Sequence, residues 1–102
     1  MIIFKEDFRN VDTYLSLREQ VGWIKLDINQ AQKALDNSLA VITVFDGDKA
    51  VGMGRIVGDQ SVISYIQDLI IIPEYQGKSI GSQLLNRLIA IVDDMIITHR
   101  VN

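Results

Sequence analysis

Residues 70–85 read IIIPEYQGKSIGSQLL. A run of isoleucine stops at Pro73, the chain's single proline, and a small glycine-bounded turn leads into a periodic apolar stretch. Proline has no N–H for a strand ladder, so Pro73 marks the end of a strand. Beyond the turn, Ile80, Leu84, Leu85, Leu88, Ile89 and Val92 recur at helical spacing, a stripe broad enough to pack on a sheet. A strand, a tight turn and a sheet-packing helix in succession decide the fold class.

Upstream, SVISYIQDLIII (61–72) is almost continuously apolar from Ile66, apart from Gln67 and Asp68. Such continuity predicts a central strand covered on both faces. Before it, LAVITVFDGDKAVGMGRIVG (39–58) holds two β-branched runs around Asp46-Gly47-Asp48, a hairpin signal because glycine supplies positive φ. Gly58-Asp59-Gln60 is read as a second turn. Ile2–Phe4 forms a short first strand, and Val11, Tyr14, Leu15, Leu17 and Val21 follow at near-helical spacing with Gly22 as the stop. NQAQKAL (29–35) predicts a second helix, with Asn29 as N-cap and Gln32 completing a capping box. The tail MIITHRVN (95–102) is read as one more strand. The order β-α-α-β-β-β-α-β indicates an α/β fold of the α+β type in one domain over residues 1–102, with a mixed, mainly antiparallel central sheet flanked by helices.

The bulk numbers exclude several functions. With 10 basic against 13 acidic side chains, the formal net charge is −3, unsuited to phosphate-driven binding of nucleic acid. An acidic surface tolerates a cationic substrate. The absence of cysteine removes disulfides and thiolate zinc sites, and no metal is expected. The N-terminal stretch lacks the apolar core of a signal peptide and no run is long enough to cross a bilayer, so a cytoplasmic, membrane-free protein is expected.

Three readings compete for QGKSIGS (76–82). A nucleotide P-loop, which Gly77-Lys78-Ser79 spells at its end, requires a glycine five residues before Gly77; that position is Ile72, and the reading fails. A plain strand–helix connection needs glycines only for turning. An anion site uses the unpaired N–H groups and partial positive charge of a helix start, with small residues at Gly77, Ser79, Gly81 and Ser82 allowing close approach and Lys78 adding charge.

The stretch DLIIIPEYQGKSIGSQLL (68–85) resembles the signature of the GNAT superfamily of N-acetyltransferases. That motif is Gln or Arg, two residues, Gly, one residue, then Gly or Ala, after an apolar strand and a proline. Here it runs from Gln76 to Gly81. The preceding YIQDLIIIP, the following amphipathic helix and the upstream hairpin DGDKAVGMGRIVGD strengthen the resemblance, which covers the chain from Ile2 to about Val92. It implies acetyl-coenzyme A as co-substrate, with its pyrophosphate on Gln76, Gly77, Lys78, Ser79, Ile80, Gly81 and Ser82. It also implies a pantetheine arm along the backbone of Leu69, Ile70 and Ile71, one of whose N–H groups faces the thioester carbonyl.

The reaction so implied is direct acetyl transfer to a primary amine on a small molecule or peptide. Asp68, ionisable within an apolar strand, is the candidate base, with a hydrogen-bonded structural role as the alternative. Gln67 and Tyr65 stand as walls of the acceptor cleft or as core. Trp23 covers the substrate side or anchors the core. Tyr75 is read as packing and His99 as surface.

The chain departs from the family in two places. Ser79 stands where the family has glycine, which is harmless if the backbone there has ordinary helical φ, as its place near the helix start suggests. The family's usual strands after the helix have no counterpart before Asn102, and this predicts an open sheet edge and a homodimer. A shortened domain that binds coenzyme A or a partner without turnover is the alternative function.

Overall fold

A computed structural model describes residues 1–59 and 63–100, with side chains through residue 95. The chain runs β1 (Ile2–Glu6), α1 (Val11–Gln20), α2 (Ile28–Asp36), β2 (Ala40–Asp46), β3 (Lys49–Gly58), β4 (Ser64–Ile71), a 3-10 turn (Pro73–Tyr75) and α3 (Ile80–Arg100). The four strands form one sheet in the order β1-β2-β3-β4, and every neighbouring pair is antiparallel. The α+β class is therefore as the sequence indicated, with a described sheet that is antiparallel throughout.

The local signals explain most boundaries. Asn10 caps α1 by accepting from the Thr13 N–H at 2.9 Å, and Gly22 beyond its end has φ 75°. The β2–β3 hairpin turns on Gly47 at φ 62°. β4 ends at Ile71, and the Ile72 N–H reaches the Val51 carbonyl at 3.0 Å before Pro73 opens the 3-10 turn.

The core lies on both faces of the sheet. Tyr14, Leu17, Ala31 and Leu35 bury from α1 and α2, and Ile80, Leu84 and Leu88 bury from α3. Gly54 lets α3 lie close, since a Cβ there would stand 2.6 Å from Leu88 Cδ1, while Gly52 makes room for β4, since a Cβ there would stand 2.7 Å from the Ile70 carbonyl oxygen.

Three expectations are corrected. The α2 cap is Asp27, not Asn29; its carboxylate accepts from the N–H groups of Asn29 and Gln30 at 3.1 and 3.3 Å, and the helix starts two residues earlier. The tail does not form a strand as far as Arg100, because α3 continues to that residue. The apolar positions Leu88, Ile91, Val92 and Met95 extend the helical repeat, and neither glycine nor proline interrupts it. Residues 101–102 and the His99 side chain lie outside what is described. Finally, β4 is an edge strand rather than a central one, paired only with β3 among the described residues. Its exposed positions include Tyr65, at 57% of its accessible surface, and Leu69, at 38%.

Candidate acyl-transfer site

The register between β3 and β4 slips at one place. Met53 faces Ile70 and Arg55 faces Gln67, so Gly54 alone stands opposite both Asp68 and Leu69. This is a β-bulge, and Asp68 takes φ 56° within it. Positive φ is costly for a residue with a Cβ, at roughly 1–2 kcal/mol, although Asp and Asn tolerate it better than most.

Three side chains from distant parts of the chain hold Asp68 there. Its Oδ2 accepts from the Tyr14 hydroxyl and from Arg55 Nε, the latter at 2.5 Å, while Oδ1 accepts from Arg18 Nη1 at 3.3 Å. The side chains of Asp68, Arg18 and Arg55 are 11%, 13% and 14% exposed. Charge-assisted bonds in such a partly dry site are the strong kind. Burial raises the Tyr14 pKa, and the bond to Asp68 raises it further, keeping the phenol a donor. Burial is the largest single influence on Arg55 and opposes its charge, but the hydrogen bond and the charge of Asp68, with Tyr14 adding to them, together outweigh it and the pKa rises. Arg55 also reaches Ser38 Oγ at 3.2 Å, tying β3 to the end of α2.

Asp68 thus supports the structural alternative raised by the sequence: its carboxylate is engaged by three donors rather than held open toward an acceptor. The three partners were invisible locally, lying 54, 50 and 13 residues away.

The loop after β4 is pinned at two points. Gln76 donates from Nε2 to the Ile71 carbonyl at 2.8 Å, folding the loop back on the strand end. The Tyr75 hydroxyl donates to Asp46 Oδ2 at 2.6 Å, fastening the loop to the β2–β3 hairpin. That bond raises the Tyr75 pKa and lowers that of Asp46. Tyr75 is a strut as well as a packing residue, with the Nζ atoms of Lys78 and Lys49 5.2 and 5.6 Å from its ring centroid. Glu74 is paired to Lys49 at 2.7 Å.

Gly77 and Ser79 both have positive φ, 77° and 66°. The expectation of ordinary helical φ at Ser79 is therefore overturned. Helix α3 begins one residue later, at Ile80, and Ser79 is the last turn residue, offering its carbonyl to the Gln83 N–H at 3.1 Å. Ser79→Gly is expected to stabilise the fold by about 1 kcal/mol, a rise of roughly 4–8 °C in melting temperature, read by circular dichroism. An unchanged or lower melting temperature would contradict the strain.

Could this loop hold a pyrophosphate? Among the described residues no protein acceptor is recorded for the backbone N–H groups of residues 77–82, which surround the start of α3. Nothing lies within 4 Å of where a Gly77 Cβ would stand, no acidic side chain occurs from Gln76 to Ser82, and Lys78 is exposed. The residues fit an anion in chemistry and in space.

On the α1 side of the bulge lies a concavity of about 260 Å³, lined by Leu15, Arg18, Glu19, Trp23, Lys25 and Leu26. Trp23 is 40% exposed and is a wall of this space rather than a core anchor. Tyr65 and Gln67 are exposed on β4, so neither belongs to the core.

The chain is similar to known proteins along most of its length. Residues 3–101 match the family model of the acetyltransferase (GNAT) family, and the chain belongs to that family. An uncharacterized ycf52-like N-acetyltransferase of Prochlorococcus marinus is 34% identical over 82 residues, 76% of this chain and 46% of that protein. Among solved structures, a GNAT family acetyltransferase of Streptococcus pneumoniae superposes with a TM-score of 0.78 at 35% identity, covering 88% of this chain and 67% of that one. A Staphylococcus aureus protein described as a probable acetyltransferase gives 0.88 at 27% identity, covering 97% and 74%. The chain spans about half the length of the curated relatives it matches. No helix among the described residues is long and apolar enough to cross a membrane.

Proposed function

We propose that this chain carries out acetyl transfer from acetyl-coenzyme A to a primary amine. The observation that carries the reading is the continuity of a bulged, open-edged β4 with an N–H-lined turn at the start of α3. The N–H groups of residues 77–82 and the Lys78 charge would hold the pyrophosphate, with Gln76 fixing the loop's entry, Ser79 closing the turn, and Ile80, Gly81 and Ser82 forming the helical side. The backbone of Leu69, Ile70 and Ile71 would take the pantetheine arm as an added strand.

Bound there, acetyl-coenzyme A would supply a thioester whose acetyl group passes to an amine with release of the thiol. A backbone N–H freed from the ladder by the bulge would donate to the thioester oxygen, where negative charge grows as the amine attacks. We assign Asp68 to holding that N–H in place. In the alternative reading it removes the amine proton.

The test is thiol release from acetyl-coenzyme A over a panel of small primary amines. Amine-dependent release supports the enzyme. Binding of the coenzyme without release over the whole panel supports the non-catalytic module instead.

Among the described residues no further strand pairs with the edge of β4, which leaves room for a second copy of the chain, and a homodimer is expected by light scattering after size exclusion. A clean monomer at high concentration would remove that part of the proposal.

A further inference from the structure

We propose that the concavity at the end of α1 takes the amine, and that Arg18 is a positioning residue joining it to the acyl-transfer bulge, setting affinity for the amine without setting affinity for the coenzyme. The inference rests on the acetyl-transfer reading above.

Arg18 leaves the last turn of α1 and its guanidinium divides between two elements. Nη1 donates to Asp68 Oδ1 in the β4 bulge at 3.3 Å, and Nη2 donates to the Ile24 carbonyl at 3.0 Å. The same group lies over two rings, its Cζ 5.6 Å from the Tyr14 centroid and 5.2 Å from the Trp23 centroid. Segment 21–27, which follows α1, has little else to hold it. Val21 and Leu26 are half-buried, whereas residues 22–25 are exposed. Its recorded backbone bonds to α1 are those of Val21, Gly22 and Trp23. Trp23, Lys25 and Leu26 of this segment line the 260 Å³ concavity, whose opposite wall is Leu15, Arg18 and Glu19 of α1.

One planar cation therefore spans the gap between the concavity wall and the bulge. Arginine's fork can reach a carboxylate and a carbonyl at once while stacking on a ring; a lysine ammonium reaches one partner at a time. Of the three donors that hold Asp68, Arg18 makes the longest bond, and Tyr14 and Arg55 bond the other oxygen, Oδ2, so they should keep Asp68 in place without it. Losing Arg18 should release the wall and leave the coenzyme side intact.

Trp23 is the only tryptophan of the chain, so its fluorescence reports this segment alone. In Arg18→Gln and Arg18→Lys, Trp23 emission is expected to move to the red, toward that of a fully exposed indole, with lower anisotropy. Acetyl-coenzyme A affinity by calorimetry should stay within about twofold. With the best amine of the panel, KM for the amine should rise at least about tenfold in Arg18→Gln and less in Arg18→Lys, with KM for acetyl-coenzyme A unmoved. Unchanged Trp23 emission, or equal rises in both KM values, would overturn the role of Arg18. Failure of the unaltered protein to bind acetyl-coenzyme A would instead overturn the parent reading, and this inference with it.

Discussion

Arg55→Met is expected to lower the unfolding free energy by about 3–5 kcal/mol, the scale for removing one partner of a buried ion pair. Arg55 and Asp68 are each about nine-tenths covered and meet at 2.5 Å. Methionine fills much of the arginine stem's volume, so the loss isolates the charge rather than the packing. The Asp68 carboxylate would keep the Tyr14 hydroxyl and the longer bond to Arg18 while losing its shortest charged partner. Domains of this size are stable by only about 5–15 kcal/mol, so the variant should melt tens of degrees lower or fail to accumulate. Urea unfolding followed by circular dichroism measures it. A loss below about 1 kcal/mol, the value of an exposed pair, would show that the network does not hold the bulge.

The second large effect separates two roles for Asp68. Asparagine keeps an oxygen acceptor and tolerates positive φ, but cannot take a proton at neutral pH. If Asp68 positions the bulge, Asp68→Asn should lower the melting temperature while leaving kcat within about tenfold of the unaltered protein. If Asp68 were the general base, kcat should fall by about 10²–10⁴. Asp68→Leu has no oxygen acceptor and disfavours φ 56°, so it should lose both stability and turnover under either reading. The contrast between Asn and Leu, measured by thiol release at saturating amine, carries the decision.

The parts of this molecule that were legible in the sequence are those with local causes. Pro73, Gly77 and the Ile80–Val92 repeat lie within one stretch and specify strand end, turn and helix without help from elsewhere. The Asp46-Gly47-Asp48 hairpin is equally local. Boundaries failed where two local solutions were equivalent: Asp27 with Gln30 and Asn29 with Gln32 spell the same cap pattern two residues apart. Ser79 is ambiguous for a similar reason, since one residue's difference in where α3 begins moves it from helical φ to 66°. The position of β4 was beyond local reading, because an apolar run does not say whether one neighbour or two will pair with it. Asp68 stood out correctly as an anomaly. Its partners did not, because Tyr14 and Arg18 are brought to it only when α1 packs across the sheet.

The proposed acetyl-coenzyme A site is the turn at the start of α3 together with the β4 edge. The most direct measurement is the melting temperature of the intact chain with and without millimolar acetyl-coenzyme A, beside a Gly81→Asp variant that places a carboxylate among the free N–H groups. A ligand that binds only the folded state stabilises it by about 2.7 kcal/mol at a hundredfold excess over Kd. A clear upward shift is expected for the unaltered chain and a much smaller one for Gly81→Asp. No shift at millimolar acetyl-coenzyme A, or an equal shift in both proteins, would contradict this site.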